Sequence, residues 1–194
     1  MTDMPSVKPP APQTTQWLPA ERLGQLDVDP PLRPWLIGQG LLTQRIKAAC
    51  GARFGRRLVH QWSGLLSPAQ KASLRVSDTA ALFREVALCC GEEPWVVTQS
   101  VVPDSTLTLH PWLGELGEAS LGETLSELTG VERSAFEYAR LAPEETLASA
   151  ALSEAQEREP ARLWARRSRI RLRGAPLLVQ DVFLPAMGRA TARG

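Results

Sequence analysis

The chain has 194 residues, 22 Lys plus Arg against 21 Asp plus Glu, and a formal net charge of +1. That length suits one domain with a sizeable core, and the charge balance argues against a protein built to hold nucleic acid or another polyanion. No apolar run approaches the roughly 20 residues that span a bilayer, and the three cysteines, Cys50, Cys89 and Cys90, make a poor disulfide framework, so a reduced, cytoplasmic setting is expected.

The first segment, MTDMPSVKPPAPQTTQ, lacks the apolar stretch of a signal peptide. Its prolines predict a disordered leader over residues 1–17. A single domain is expected over 18–188, with a short tail over 189–194. PPLRPWLIGQGLLTQRIKAACG predicts short helices, with Leu41, Leu42, Ile46 and Ala49 at helical spacing and Gly51 as a C-cap. RRLVHQWSG alternates as a strand does, and SPAQKASLRVSDTA is a polar connection with room for one helical turn.

ALFREVALCCGEEPWVVTQSVVP contains two β-rich runs flanking Gly91-Glu92, which predicts a hairpin. If Cys90 faces Glu93, Arg84 lies opposite Gln99. A second hairpin of the same design follows in the last part of the chain, broken at Gly174 and Pro176, and the two are expected in one antiparallel sheet. Between them SLGETLSELTG predicts a short helix with a Ser120/Glu123 capping box, Leu121, Leu125 and Leu128 on one face and Gly130 at its end. VERSAFEYARL predicts one strand, and the Ala- and Glu-rich stretch after it a solvated helix. Strands clustered with helices, without βαβ alternation, indicate an α+β fold.

In RSRIRLRGAPLLVQDVFLPA, a period of two puts Arg167, Arg169, Arg171 and Arg173 on one face and Ser168, Ile170 and Leu172, with Trp164, on the other. The arginine row is expected to be a solvated strand face or, failing that, a cationic rim that helps attract a small anion. Nucleic-acid binding is disfavoured, because no aromatic stacking set accompanies the row. Two charges fall on apolar faces instead: Arg84 shares its face with Leu82, Val86 and Leu88, and Asp181 shares its face with Leu177, Val179 and Phe183. A charge on a core-facing strand is costly unless partnered. Either Arg84 and Asp181 pair with each other, or Arg84 holds a ligand carboxylate while Asp181 handles a hydroxyl or a proton. Only two histidines are present, His60 and His110, far apart and without ligand spacing. No phosphate loop, nucleophile elbow or CxxC motif occurs, which disfavours metal, nucleotide and Ser/Cys-hydrolase chemistry.

The segments FREVALCCGEEPWVVTQSVVPDSTL (83–107), LGEASLGETL (116–125) and LWARRSRIRLRGAPLLVQDVFLPA (163–186) resemble the chorismate pyruvate-lyase family, with weaker similarity in GLLTQRI (40–46) and ERSAFEYAR (132–140). The resemblance implies a single α+β domain, an antiparallel sheet whose helices close as flaps over a buried site, working without metal or organic cofactor. It implies cleavage of chorismate into 4-hydroxybenzoate and pyruvate, the first step of ubiquinone ring synthesis; a monomer is expected, with no nucleic-acid partner or membrane span. By the same resemblance Arg84 binds the ring carboxylate, Leu121 packs near the ring and helps hold that carboxylate through its backbone, Asp181 contacts the hydroxyl, and Leu42 forms an apolar wall. The family has Glu where this chain has Asp181, and Met where it has Leu42. Residues 141–159 look like an insertion, a surface helix remote from the chemistry. The alternative function is a non-catalytic sensor of aromatic carboxylates built on the same fold; an interaction module using 142–159 is a third reading.

Overall fold

The structure, a computed structural model, describes residues 15–25, 27–156 and 162–191. Most of the expected leader, part of the expected insertion and the end of the tail lie outside the described residues. The elements are β1 (Leu18–Pro19), α1 (Arg33–Ile37), α2 (Leu42–Cys50), β2 (Phe54–Leu65), α3 (Pro68–Leu74), β3 (Ala80–Cys90), β4 (Glu93–Pro103), α4 (Asp104–Leu109), α5 (Leu121–Ser126), β5 (Val131–Arg133), β6 (Glu137–Leu141), α6 (Thr146–Glu154), β7 (Leu163–Leu172), β8 (Ala175–Phe183) and α7 (Pro185–Thr191). The strands form one eight-stranded antiparallel sheet in the order β1-β6-β7-β8-β4-β3-β2, with β5 also paired to β7. This is the expected α+β architecture.

The two hairpins form the centre of the sheet. Gly91 at φ +66° turns β3 into β4 with one positive φ, as a type II′ loop does, and Arg173 and Gly174, at φ +49° and +89°, turn β7 into β8 with the pair that a type I′ loop requires. β4 and β8 then lie side by side. The expected pairing of Arg84 with Gln99 is off by one residue. Cys90 does face Glu93, but the register shifts between Leu88, opposite Val96, and Cys89, opposite Pro94. Trp95 is the extra residue of a bulge beside a proline, which has no N–H for the ladder. Beyond the bulge Arg84 faces Ser100. Because strand side chains alternate, this one-residue slip puts Thr98 and Ser100 on the Arg84 face and sends Gln99 to the other.

Each face of the sheet carries two apolar clusters. On the Arg84 face, α1, α2 and α7 pack on Val86, Leu88, Trp164 and Phe183, while α5 and the turn holding Leu113 pack on Leu82, Val102, Ile170 and Leu177. On the opposite face α6 covers Leu163, Ala165 and Val182, and Leu74 of α3 joins Phe83, Val101 and Leu178. Far from being wholly solvated, α6 buries Ala148, Ala151 and Leu152 against that sheet face. Between the opposite-face clusters runs a buried polar row: Gln180 Nε2 donates to Gln99 Oε1 at 3.0 Å, and Gln99 Nε2 donates to Glu85 Oε1 at 2.8 Å.

Three local expectations need correction. VERSAFEYARL is two strands, because Ser134–Phe136 leave the ladder between β5 and β6. Ser120 Oγ caps α5 by accepting from Glu123 N at 3.3 Å, but the Glu123 side chain reaches Arg56 rather than completing a capping box. A disulfide joins Cys50, the last residue of α2, to Cys90, the last of β3, with Cα atoms 5.5 Å apart, where the composition pointed to free thiols. The pair is 40 residues apart in sequence and meets only once α2 lies against β3. Among the described residues no helix is long and apolar enough to cross a membrane.

Candidate active site

The gap between the two clusters on the Arg84 face is a cavity of about 290 Å³. Its floor is the sheet: Arg84, Val86, Thr98, Ser100, Arg166, Val179 and Asp181 all point into it. Its roof is two short segments, Gln39–Thr43 at the start of α2 and Ala119–Gly122 at the start of α5. The roof halves touch where Thr43 Oγ1 and Ser120 Oγ lie 3.3 Å apart. Arg56 of β2 reaches over to Glu123 of α5 at 2.6 Å, fastening α5 to the sheet edge.

Asp181 is 7 % exposed, and each of its carboxylate oxygens accepts one hydrogen bond from within the protein. Thr98 Oγ1 donates to its Oδ1 at 2.9 Å, and Arg166 Nε donates to its Oδ2 at 2.9 Å. Thr98, Asp181 and Arg166 occupy one row across β4, β8 and β7, so the trio follows from register alone. Arg166 is 2 % exposed. Its Nη1 donates to the carbonyls of Trp35, Leu36 and Gly38, groups left without helical partners at the end of α1. Its guanidinium also lies 4.4 Å from the centroid of the Phe136 ring. A charge this deep is tolerated because a carboxylate, three carbonyls and two aromatic rings surround it.

Arg84, two strands and one pleat repeat from Asp181, is held differently. Its Nε donates to Gly117 O at 3.2 Å and its Nη2 donates to Gly117 O and to Ala119 O, the latter at 2.7 Å. Nη1 has no partner among the described residues. Desolvation depresses the Arg84 pKa, and the Arg56 charge depresses it further. A buried cation with neutral partners and a neighbouring like charge is electrostatically primed for an anion. Two strand spacings and one two-residue step separate the Arg84 and Asp181 Cα atoms by about 12 Å.

The chain matches the chorismate lyase family model over residues 11–190. The chain belongs to the chorismate lyase family. It is 36 % identical over 180 residues to the probable chorismate pyruvate-lyase of Nitrosospira multiformis, covering 91 % of this chain and 97 % of that one. It is 38 % identical over 163 residues to the probable chorismate pyruvate-lyase of Azoarcus sp., covering 80 % and 85 %, and 34 % identical over 161 residues to the chorismate pyruvate-lyase of Salmonella arizonae, covering 82 % and 86 %. Among solved structures, the C-terminal domain of PhnF superposes with a TM-score of 0.56 at 16 % identity, covering 75 % of this chain and 87 % of that one. The C-terminal domain of the histidine utilization repressor from Pseudomonas syringae superposes with a TM-score of 0.54 at 10 % identity, covering 70 % and 94 %. At these identities the structures share the fold.

In this chorismate lyase family member the four residues singled out by the sequence resemblance, Leu42, Arg84, Leu121 and Asp181, line the one cavity. Arg84 and Asp181 do not pair with each other; the partner of Asp181 is Arg166. Sequence reading overlooked Arg166, although the parity that turned Trp164, Ser168 and Ile170 inward turns Arg166 inward too. It also overlooked Thr98, which the bulge moved onto this face, and Arg133 and Phe136, which reach the cavity from β5 and from the break between β5 and β6. The arginine row on the other β7 face grades from partly buried to exposed: Arg167 binds Glu137 at 2.7 Å, Arg169 donates to Ser73 O at 3.1 Å, and Arg171 is exposed.

Proposed function

We propose that the cavity converts chorismate into 4-hydroxybenzoate and pyruvate, supplying the aromatic ring for ubiquinone synthesis. The observation that carries this reading is the placement of Arg84 and Asp181 at opposite ends of one roofed, largely apolar cavity. Chorismate carries a ring carboxylate and, across the ring, a hydroxyl. Arg84 takes the carboxylate through Nη1, aided by the Leu121 backbone N–H in the first turn of α5, where N–H groups lack helical acceptors. Asp181 accepts the hydroxyl with the lone pairs that Thr98 and Arg166 leave free. Leu42 and Leu121 close apolar surface over the ring and exclude water.

The reaction is an elimination. The ring carbon bearing the hydroxyl loses its hydrogen as a proton, and that electron pair forms the last ring double bond. The neighbouring carbon–oxygen bond breaks with its pair going to the ether oxygen. The departing enolpyruvate takes a proton on its methylene carbon and becomes pyruvate. Aromatisation drives the step, so the protein's contribution is orientation and charge stabilisation. Asp181 is the only acidic side chain on the cavity wall among the described residues, and it is the group assigned to accept the ring proton.

Incubating the protein with chorismate, with no added metal or nucleotide, should release 4-hydroxybenzoate and pyruvate in equal amounts. A sensor of aromatic carboxylates would bind the ligand and release neither.

A further inference from the structure

Four arginines line the cavity: Arg56, Arg84, Arg133 and Arg166. Two are neutralised within the protein, Arg56 by Glu123 at 2.6 Å and Arg166 by Asp181 at 2.9 Å. The other two have only uncharged partners among the described residues. Arg84 is bound to backbone carbonyls. Arg133 donates through Nη1 to the buried hydroxyl of Ser168 at 2.7 Å and lies 5.7 Å from the Phe136 ring centroid. The cavity wall therefore carries two uncompensated positive charges, and chorismate brings two negative ones.

We propose that Arg133 binds the second carboxylate of the substrate, the one on the enolpyruvyl side chain. This rests on the lyase reading of the cavity and assigns a subsite within it.

The position fits the chemistry of the ligand. Ser168, which anchors Arg133, lies on the same face of β7 as Arg166 and two residues along, about 7 Å. Arg133 is thus at the Asp181 end of the cavity, and its pKa is lowered mainly by desolvation, with Asp181 opposing and Arg166 adding to the effect. In chorismate the ether carbon adjoins the carbon bearing the hydroxyl, so a hydroxyl on Asp181 directs the enolpyruvyl group to this end. The Arg133 residue as a whole is exposed on β5, while its guanidinium is anchored on the buried Ser168 hydroxyl. As the carbon–oxygen bond breaks, negative charge grows on the departing enolpyruvate, and a guanidinium fixed beside its carboxylate stabilises that charge. The product 4-hydroxybenzoate has no second carboxylate and makes no such contact.

The test separates this subsite from the rest of the cavity by equilibrium binding. Two aromatic ligands are compared, 4-hydroxy-3-methoxybenzoate and 3-(carboxymethoxy)-4-hydroxybenzoate, which differ by one carboxylate at the ether position. The native protein should bind the carboxymethoxy ligand about 10- to 100-fold more tightly, the range of one charge-assisted contact. In Arg133→Gln that ratio should fall to near one, while affinity for 4-hydroxybenzoate stays within about threefold, as for a residue that does not touch it. Arg133→Lys, which keeps the charge and loses the fork, should give an intermediate ratio. A native protein that does not favour the extra carboxylate, a ratio unchanged in Arg133→Gln, or equal weakening of all three ligands would each overturn the assignment. A protein that shows the Arg133-dependent ratio but does not convert chorismate would sink the lyase reading and leave the subsite standing.

Discussion

Arg166 Nε donates to Asp181 Oδ2 at 2.9 Å, directly across the β7–β8 pair, and both residues are buried. The same carboxylate that faces the cavity thus neutralises the cation behind it. Breaking a buried pair from one side leaves a charge without a match, at a cost of about 3–5 kcal/mol. Arg166→Met should therefore lower unfolding stability by about that amount in urea denaturation. Arg166→Met combined with Asp181→Leu should be markedly less destabilised than the sum of the two single changes. Additive costs would mean that the two side chains do not depend on each other.

Asp181 is also the proposed proton acceptor of the cavity, and Asn preserves its shape without that capacity. Asp181→Asn should reduce kcat by about 100-fold or more, measured by release of 4-hydroxybenzoate after native-like circular dichroism is verified. Asp181→Glu, which restores the carboxylate length of the family, should stay folded and retain most of its turnover. Near-native turnover in Asp181→Asn would reduce the residue's role to orienting the hydroxyl.

Strand parity made Arg84 and Asp181 visible in the sequence, since an ionic side chain among Leu82, Val86 and Leu88, or among Leu177, Val179 and Phe183, breaks an apolar alternation. Parity names a face and leaves the partner open. The pairing with Arg166 depends on which strand lies beside β8, and the exposure of Thr98 to the cavity depends on a bulge at Trp95. Contacts across long separations were equally hidden: Glu123 reaches Arg56 from 67 residues away, and Cys50 meets Cys90 from 40. Local signals, by contrast, were sufficient for the two hairpin turns, for the Gly51 cap and for Ser120 at the start of α5, because those structures are satisfied within a few residues of chain.

Asp78 provides a pH handle outside the cavity. Its Oδ1 accepts from Ser105 N at 2.7 Å, capping α4 from the loop before β3. Desolvation pushes its pKa up, but the Ser105 hydrogen bonds, together with Lys71, outweigh that and leave it below the usual carboxylate value. A depressed folded-state pKa contributes stability above the unfolded-state value near 4, and that stability is lost as pH falls through the folded-state value. Asp78→Ala should cost about 1 kcal/mol at pH 7, as loss of a helix cap does, and the gap to the native protein should close in thermal melts taken below about pH 4. A gap independent of pH would assign the loss to packing.

Arg171 is the contrast to Arg84, exposed on the far side of β7. Arg171→Ala should leave stability within about 0.5 kcal/mol of native, as for other surface changes, and chorismate turnover essentially unaltered. A large loss of turnover would relocate part of the binding surface to the arginine row.

In the proposed docking mode the ring carboxylate, at the end of the cavity opposite Asp181, depends above all on Arg84. The deciding measurement is the dissociation constant of 4-hydroxybenzoate for the native protein and for Arg84→Ala, by titration calorimetry. Removing one partner of a desolvated charge pair costs about 2–5 kcal/mol, so the variant should bind at least about 30-fold more weakly. Arg84→Lys should recover only part of the loss, because an ammonium cannot reproduce the planar fork. Equal affinities for the native protein and Arg84→Ala would contradict this docking mode and leave Arg84 as a brace for the Gly117–Ala119 loop alone.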